Sequence, residues 1–360
     1  MSPKGLSMRA ISSHLKPLSA ALCIALLLGA CSSNTNEVGD KFSVCHESDG
    51  PQIRDRSFNQ NADAGLIRAE KELNITATRR NAVTADDYRS IVQGFVKQGC
   101  DLIVSNGMRT EPEVRIAAKE DRSQNFSVLD ATLHDDSDQP RSSDSNVEEI
   151  TFATGQAAFL AGYLAAGVTK TGVIGTYGGL QISTVTAFMD GLSAGIKKYN
   201  EDHSTSVKLL GWDGSNGSFV GNFTDRVAGQ TITRQFIAAG ADIIMPLGGG
   251  ASLGTVAEFR EKQYADRSII WADVDGCTTL PGDCKYFLTT VEKRLGNAVF
   301  ESIKSAVNDD FKGTVRTETL KNDGVGLAPF HSFDSRVPAS LKTELAKYRS
   351  KIIAGTQPTR

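Results

Sequence analysis

The chain has little of several things that would commit it to a particular chemistry. Histidines number five in 360 residues and are scattered, so no helix carries the paired histidines of a zinc protease. The six cysteines include no closely spaced pair with further ligands nearby, which removes the usual structural zinc sites. No phosphate-binding loop or dinucleotide fingerprint is present. Lysine and arginine total 39 against 42 aspartate and glutamate residues, so the basic surface that nucleic acid requires is missing. Past residue 30 no stretch stays apolar for the roughly eighteen residues of a membrane helix. These gaps predict no metal, no cofactor and no nucleic acid partner.

What is present begins at the N-terminus. Lys4, Arg9 and Lys16 form a basic lead-in, and Pro17 to Ala30 is an uncharged, mostly apolar run too short to remain as a span. It ends in Leu28-Gly29-Ala30-Cys31, small residues before a cysteine, the pattern of a lipoprotein cleavage site. Residues 1–30 are therefore expected to be a signal peptide, Cys31 the lipidated residue, and 31–40 a polar tether at the outer face of a cell membrane. Removing the three basic residues leaves 36 basic against 42 acidic side chains, moving the formal charge from -3 to -6. Export also favours disulfides. Cys277 and Cys284 flank the turn Pro281-Gly282 and are expected to pair; Cys45 and Cys100 sit in or just before strands that would be neighbours, which leaves a second bridge open.

From Lys41 onward, short apolar runs alternate with helical periodicity. Residues 42–46, 101–104, 126–129, 173–177, 207–210, 242–245 and 269–272 read as buried parallel strands. Between them Ala62, Leu66, Ala69 and Leu73 recur at helical spacing, as do Val185, Phe188, Met189, Leu192 and Ile196. The class is α/β with right-handed crossovers, and some 330 residues exceed one comfortable core. Two lobes are expected: residues 41–150 completed by a segment near 285–318, and 151–284 completed by a segment near 319–345. In open parallel sheets ligands sit beyond the carboxyl ends of the strands, so residues just after each strand are the candidates.

The first such segment runs Ser48-Asp49-Gly50-Pro51-Gln52-Ile53-Arg54-Asp55-Arg56-Ser57-Phe58-Asn59-Gln60. One reading is a capped helix start with Phe58 turned inward; the other is an aromatic platform with polar neighbours, suited to a flat hydrogen-bonding ligand. Ser57-Phe58-Asn59-Gln60 resembles the signature of the basic membrane protein family, whose PnrA-like members are purine nucleoside receptors of ABC importers. Further stretches carry the resemblance in order: Gln98 to Val104, Thr151 to Thr154, Gln156 to Ala166, Phe188 to Gly191, Gly217-Ser218-Phe219 with Gly221-Asn222-Phe223, and Trp271 to Asp275.

The resemblance implies a type I periplasmic binding protein fold, two doubly wound parallel-sheet lobes with three crossovers. It implies a nucleoside held in the interlobe cleft and delivered to the permease subunits of an ABC transporter. Phe58 and Phe219 would sandwich the base, Asn59 and Asp130 would bond its edge, and Asp273 and Lys293 would take the ribose. Asp49, Ser57, Gly248 and Gly249 would line the same cleft. Pro51, Gln52 and Arg54 stand where the family loop carries paired glycines and an aspartate, and Gly155 stands where an acidic residue is common. Other small solutes, such as a sugar or a signalling molecule, are the alternative within the binding class. An enzyme reading rests on Gly250-Ala251-Ser252-Leu253-Gly254, which matches a nucleophile-elbow pattern, with Asp273 and His331 following in hydrolase order.

Overall fold

Apolar runs bounded by glycine and aspartate are what a sheet covered on both faces requires, and each of the seven runs is a strand in the computed structural model. It describes residues 41–134 and 146–360; the expected signal peptide, Cys31 and the tether lie outside them. The first sheet contains β1 (Ser43–Asp49), β2 (Thr76–Ala82), β3 (Leu102–Asn106), β4 (Asn125–Leu129), β5 (Val147–Phe152) and β11 (Val315–Glu318). The second contains β6 (Val173–Gly178), β7 (Lys208–Leu210), β8 (Ile243–Leu247), β9 (Ser268–Asp273), β10 (Phe287–Lys293) and β12 (Val325–Leu327). The strand orders are β11-β5-β4-β3-β1-β2 and β12-β10-β9-β8-β6-β7. Every pairing is parallel except that of β12 with β10.

Helices cover both faces of each sheet. In lobe I these are α1 (Phe58–Glu72), α2 (Ala85–Gln98), α3 (Glu111–Glu120) and α9 (Leu295–Val307). In lobe II they are α4 (Thr154–Val168), α5 (Ser183–His203), α6 (Arg226–Ala238), α7 (Leu253–Lys262), α8 (Gly276–Thr279) and α10 (Ala339–Ile353). No helix among the described residues is long and apolar enough to cross a membrane. The most apolar, α4, is buried from Ala157 to Ala166 and packs against α5 through backbone. A Cβ on Gly162 would lie 2.1 Å from the Leu192 carbonyl, so only glycine permits that approach.

The chain crosses between lobes three times, after β5, after β10 and after β11. This corrects one expected boundary. Residues 285–294 were assigned with the first lobe, whereas Phe287–Lys293 is β10, paired with β9 and β12 inside the second sheet. Its Phe287, Leu288, Thr289, Thr290 and Val291 are all buried, as a central strand demands. The completing helix α9 then packs on α1 in lobe I through Leu295, Val299 and Ile303. The segment near 319–345 joins the second core through Leu320, Val325, Phe333, Leu341 and Leu345, and its helix continues to Ile353. Five strands were not among the seven runs: β5, β10, β11 and β12, together with β2, Thr-Ala-Thr-Arg-Arg-Asn-Ala, an edge strand with a single fully buried position.

Candidate functional site

The carboxyl ends of both sheets open on a cleft that is partly open to solvent. Lobe I contributes the loops after β1, β3 and β4, lobe II the loops after β6, β7, β8 and β9, and Lys293 at the end of β10 completes it.

The lobe I wall is polar and braced from within. Asp55, not Ser57, caps α1: its carboxylate accepts from the backbone N–H groups of Ser57, Asn59 and Gln60 at 2.9, 2.9 and 3.1 Å. Burial nevertheless holds its pKa above the usual carboxylate range. With the helix start satisfied, the Ser57 hydroxyl is free to donate to Asp273 Oδ2 of lobe II at 2.5 Å. Phe58 lines the cleft at the first turn of α1. Asn59 lines it too, yet its amide is already committed. Its Oδ1 accepts from Asp49 N at 3.1 Å, and its Nδ2 donates to Asp49 O at 2.7 Å and to Asp55 Oδ2 at 3.1 Å. The Asp49 carboxylate accepts from the Tyr88 hydroxyl and the Arg109 guanidinium. Sequence reasoning missed both of these partners; they come from α2 and the turn after β3, and nothing in their local sequence links them to Asp49.

At the hinge end three charged side chains are withdrawn from water together. Lys293, only 2% exposed, donates to Asp130 Oδ2 at 2.6 Å. Its ammonium also lies 4.8 Å from the centroid of the Phe188 ring, a cation–π distance. Asp130 and Asp273 close β4 and β9 with φ of 56° and 70°. Aspartate tolerates that left-handed backbone better than most residues, and it turns each carboxylate off the strand end. Burial pushes the Asp273 pKa up to about 6, against the opposing pull of Lys293 and the Ser57 hydroxyl, with Asp130 and Asp55 adding to the rise.

Away from Asp273 and Lys293 the lobe II wall is mostly apolar, formed by Ile182, Val185, Phe188, Phe223, Leu247 and Ala272, with Thr184 and Thr224 among them. Phe219, expected to stack on a base, is not part of it. Its ring packs edge-on to Trp212 at 6.2 Å and against Gly178, with which it forms a β-bridge. Phe223 lines the cleft instead, laid against Gly179, where a Cβ would fall 2.3 Å from the ring. The available signal was Asp225, whose side chain caps α6 through Ala228 N at 3.0 Å. A cap two residues on places Phe223, and not Phe219, at the mouth of a helix, as Phe58 is in lobe I. Gly249 and Gly250 line the cleft; Gly248 does not, its N–H being donated to Ser252 Oγ at 2.8 Å.

That bond also bears on the enzyme reading. Ser252 is buried and serves the loop backbone, Asp273 is bonded to Ser57, and His331 Nε2 is 2.8 Å from Asp275 Oδ2. The three residues of the hydrolase pattern thus have separate partners. Disulfides join Cys45 to Cys100 between β1 and the start of β3, and Cys277 to Cys284 beside β9. The grouping of Cys277, Cys284 and His331 has ligand-like proximity among the described residues, but both sulfurs are held in the second disulfide.

A cleft between two doubly wound lobes, with aromatic rings from both and acidic side chains at its hinge end, is the form of a solute receptor. The model of the PnrA-like family of ABC transporter substrate-binding proteins matches residues 48–357. The chain belongs to this family. Among relatives of this PnrA-like protein, an ABC transporter nucleoside-binding protein, BmpA, of Lactococcus lactis is 28% identical over 93% of this chain and 95% of its own. Basic membrane protein A of Borreliella burgdorferi is 28% identical over 83% and 82%. Among solved structures, an ABC transporter solute-binding protein of Aeropyrum pernix superposes with a TM-score of 0.79 at 22% identity, covering 87% of this chain and 92% of that one. An Actinobacillus succinogenes periplasmic solute-binding protein with bound D-allose gives 0.58 at 12% identity, covering 82% and 100%. The fold is that of the type I periplasmic binding proteins, and the PnrA-like chain is a substrate-binding protein of an ABC transporter.

Proposed function

We propose that this PnrA-like protein captures a nucleoside, with purine nucleosides first, and passes it to the permease subunits of its importer from a lipid anchor at Cys31. The observation that carries the reading is the division of the cleft: aromatic rings from both lobes, Phe58 and Phe223, with Phe188 beside them, and Asp130, Asp273 and Lys293 gathered at one end. Flat apolar faces suit a base, and offset stacking contributes roughly 0.5–1.5 kcal/mol per ring beyond area burial. Carboxylates and an ammonium suit ribose hydroxyls, which would be costly to bury unpaired. The word nucleoside in the description of the Lactococcus lactis relative supports the same choice.

The test is a thermal-shift and calorimetric screen of the mature chain against purine and pyrimidine nucleosides, free bases, ribose and amino acids. A ligand that binds only the folded form raises the melting temperature by mass action. Nucleosides are expected to raise it, purines most. A shift with ribose and none with any nucleoside overturns the reading. The anchor is tested separately: Cys31→Ser should abolish palmitate incorporation and release the protein from the membrane fraction.

A further inference from the structure

Outside the cleft, the lobes meet through residues that do not line it. The Arg56 carbonyl of lobe I accepts from Trp271 Nε1 at 3.2 Å and from Thr279 Oγ1 at 3.3 Å, both in lobe II. In return the Arg56 guanidinium donates to the Thr279 carbonyl at 3.5 Å. Arg56 has a φ of 65°, a left-handed backbone that disfavours arginine. That conformation turns its carbonyl toward lobe II, and the two donors there offset its cost. Thr279 ends α8 in a short disulfide-closed segment held in place from several directions, and its hydroxyl also has the Asp275 carbonyl within reach at 3.4 Å. Cys277 and Cys284 close it by a disulfide, and the Asp275 carboxylate ties its start to Cys277 N at 2.9 Å and to His331 Nε2 at 2.8 Å.

We propose that this disulfide-closed loop, residues 275–286, is a clasp on the closed state, and that Arg56 and Thr279 set solute affinity without touching the solute. A binding protein's apparent affinity is the sum of its cleft contacts and its own preference for closure. Bonds between lobes outside the cleft shift only the second term. A loop whose shape is fixed by a disulfide presents the Thr279 hydroxyl with little ordering left to lose, so the bond favours closure more than the same bond from a free loop would. Because the clasp breaks during opening and not during encounter, it acts on release.

The proposal rests on solute capture by lobe closure, and the test separates it from the choice of solute. In the mature chain, Thr279→Val removes the hydroxyl at nearly constant shape, and Cys277→Ser with Cys284→Ser frees the loop while leaving Cys45–Cys100 intact. With inosine as probe, stopped-flow tryptophan fluorescence should show release about fivefold faster in Thr279→Val at an unchanged association rate. The serine pair should also speed release, and should add little once the Thr279 hydroxyl is gone. Unchanged release in both variants overturns the clasp. If the wild-type chain binds no nucleoside, the nucleoside reading falls, and the clasp is read without ligand by hydrogen–deuterium exchange over residues 54–60. Faster exchange in Thr279→Val supports it, and exchange identical to wild type overturns it.

Discussion

The two walls of the cleft are made by opposite means. On the lobe I side the polar groups satisfy one another before any ligand arrives: Asp55 caps α1, Asn59 braces the Asp49 backbone, and Tyr88 and Arg109 hold the Asp49 carboxylate. On the lobe II side the surface is largely apolar, with Phe188 and Phe223 set among Ile182, Val185 and Leu247. Preorganised dipoles lose little on binding because they need no reordering, whereas an apolar wall contributes in proportion to the area it removes from water. One lobe should therefore supply discrimination and the other most of the affinity. Between them the pair Lys293–Asp130 joins a lobe II strand to a lobe I strand, and it belongs to the stability of the whole as much as to either wall.

The largest effect should come from breaking that junction. Lys293→Met leaves Asp130 buried without its cation, and removing one member of a buried pair costs about 3–5 kcal/mol. Urea unfolding at pH 7 should show this as a lower midpoint; a loss under 1 kcal/mol would mean that water already solvates Asp130. Next comes the apolar wall. Phe223→Ala should weaken nucleoside binding by about five- to 150-fold, the range for losing one base–aromatic contact. Phe219→Ala should lower the melting temperature while changing affinity less than threefold, roughly half a kcal/mol, since its ring packs on Trp212. The reverse outcome in isothermal titration calorimetry would return Phe219 to the site and remove the assignment of Phe223.

How much of this was legible in the sequence depended on whether a residue's type or its direction was at issue. Six of the seven strands were readable because a sheet covered on both faces needs uninterrupted apolar residues; the seventh, β7, expected to be buried, is an edge strand with no buried residue. β2 was not readable, because at an edge its register is set by backbone bonds to β1, Arg80 faces outward, and Arg79 is paired with Asp63 and Glu70 of α1. β10 was not read as a strand, and no local property states which of two sheets such a segment joins. In the site, Phe58, Asp130, Asp273 and Lys293 were named by the family resemblance, and all four line the cleft. Asn59 was named too, but its amide faces the protein's own backbone. Phe219 and Phe223 sit four residues apart in similar glycine-containing contexts, and only the cap at Asp225 distinguishes them. Tyr88 and Arg109 were invisible because their role exists only after three segments have converged.

A smaller effect, on pH, sharpens the contrast from the hinge end. Asp273 has its pKa pushed up to about 6 by burial, so in the free protein it gains a proton as the pH falls through 6 and can no longer accept two hydroxyl donors. Nucleoside affinity should fall by about tenfold from pH 7 to pH 5, and Asp273→Asn should bind weakly with a flatter profile. Stability should run the other way. A raised folded-state pKa means that the native chain holds a proton the unfolded chain has released, so this group's stabilisation is present below about pH 4 and lost as the pH rises to 6. Asp273→Asn should therefore gain on wild type in melting temperature between pH 4 and pH 7. A wild-type affinity independent of pH would take Asp273 out of the contact with solute.

The smallest effect should lie at the mouth. Gln52, in the loop where paired glycines were expected, is exposed on the lobe I side, and its Nε2 lies 3.8 Å from where a Gly250 Cβ would stand in lobe II. An exposed amide exchanges bonds with water at little net gain, of the order of 0.5 kcal/mol. Gln52→Ala should thus change nucleoside affinity by under threefold and leave the preference among bases untouched. A tenfold loss would mean that the loop closes over the solute and excludes water there. Discrimination would then sit at the rim of lobe I instead of along its braced inner wall, and the division of labour between the two lobes would have to be redrawn.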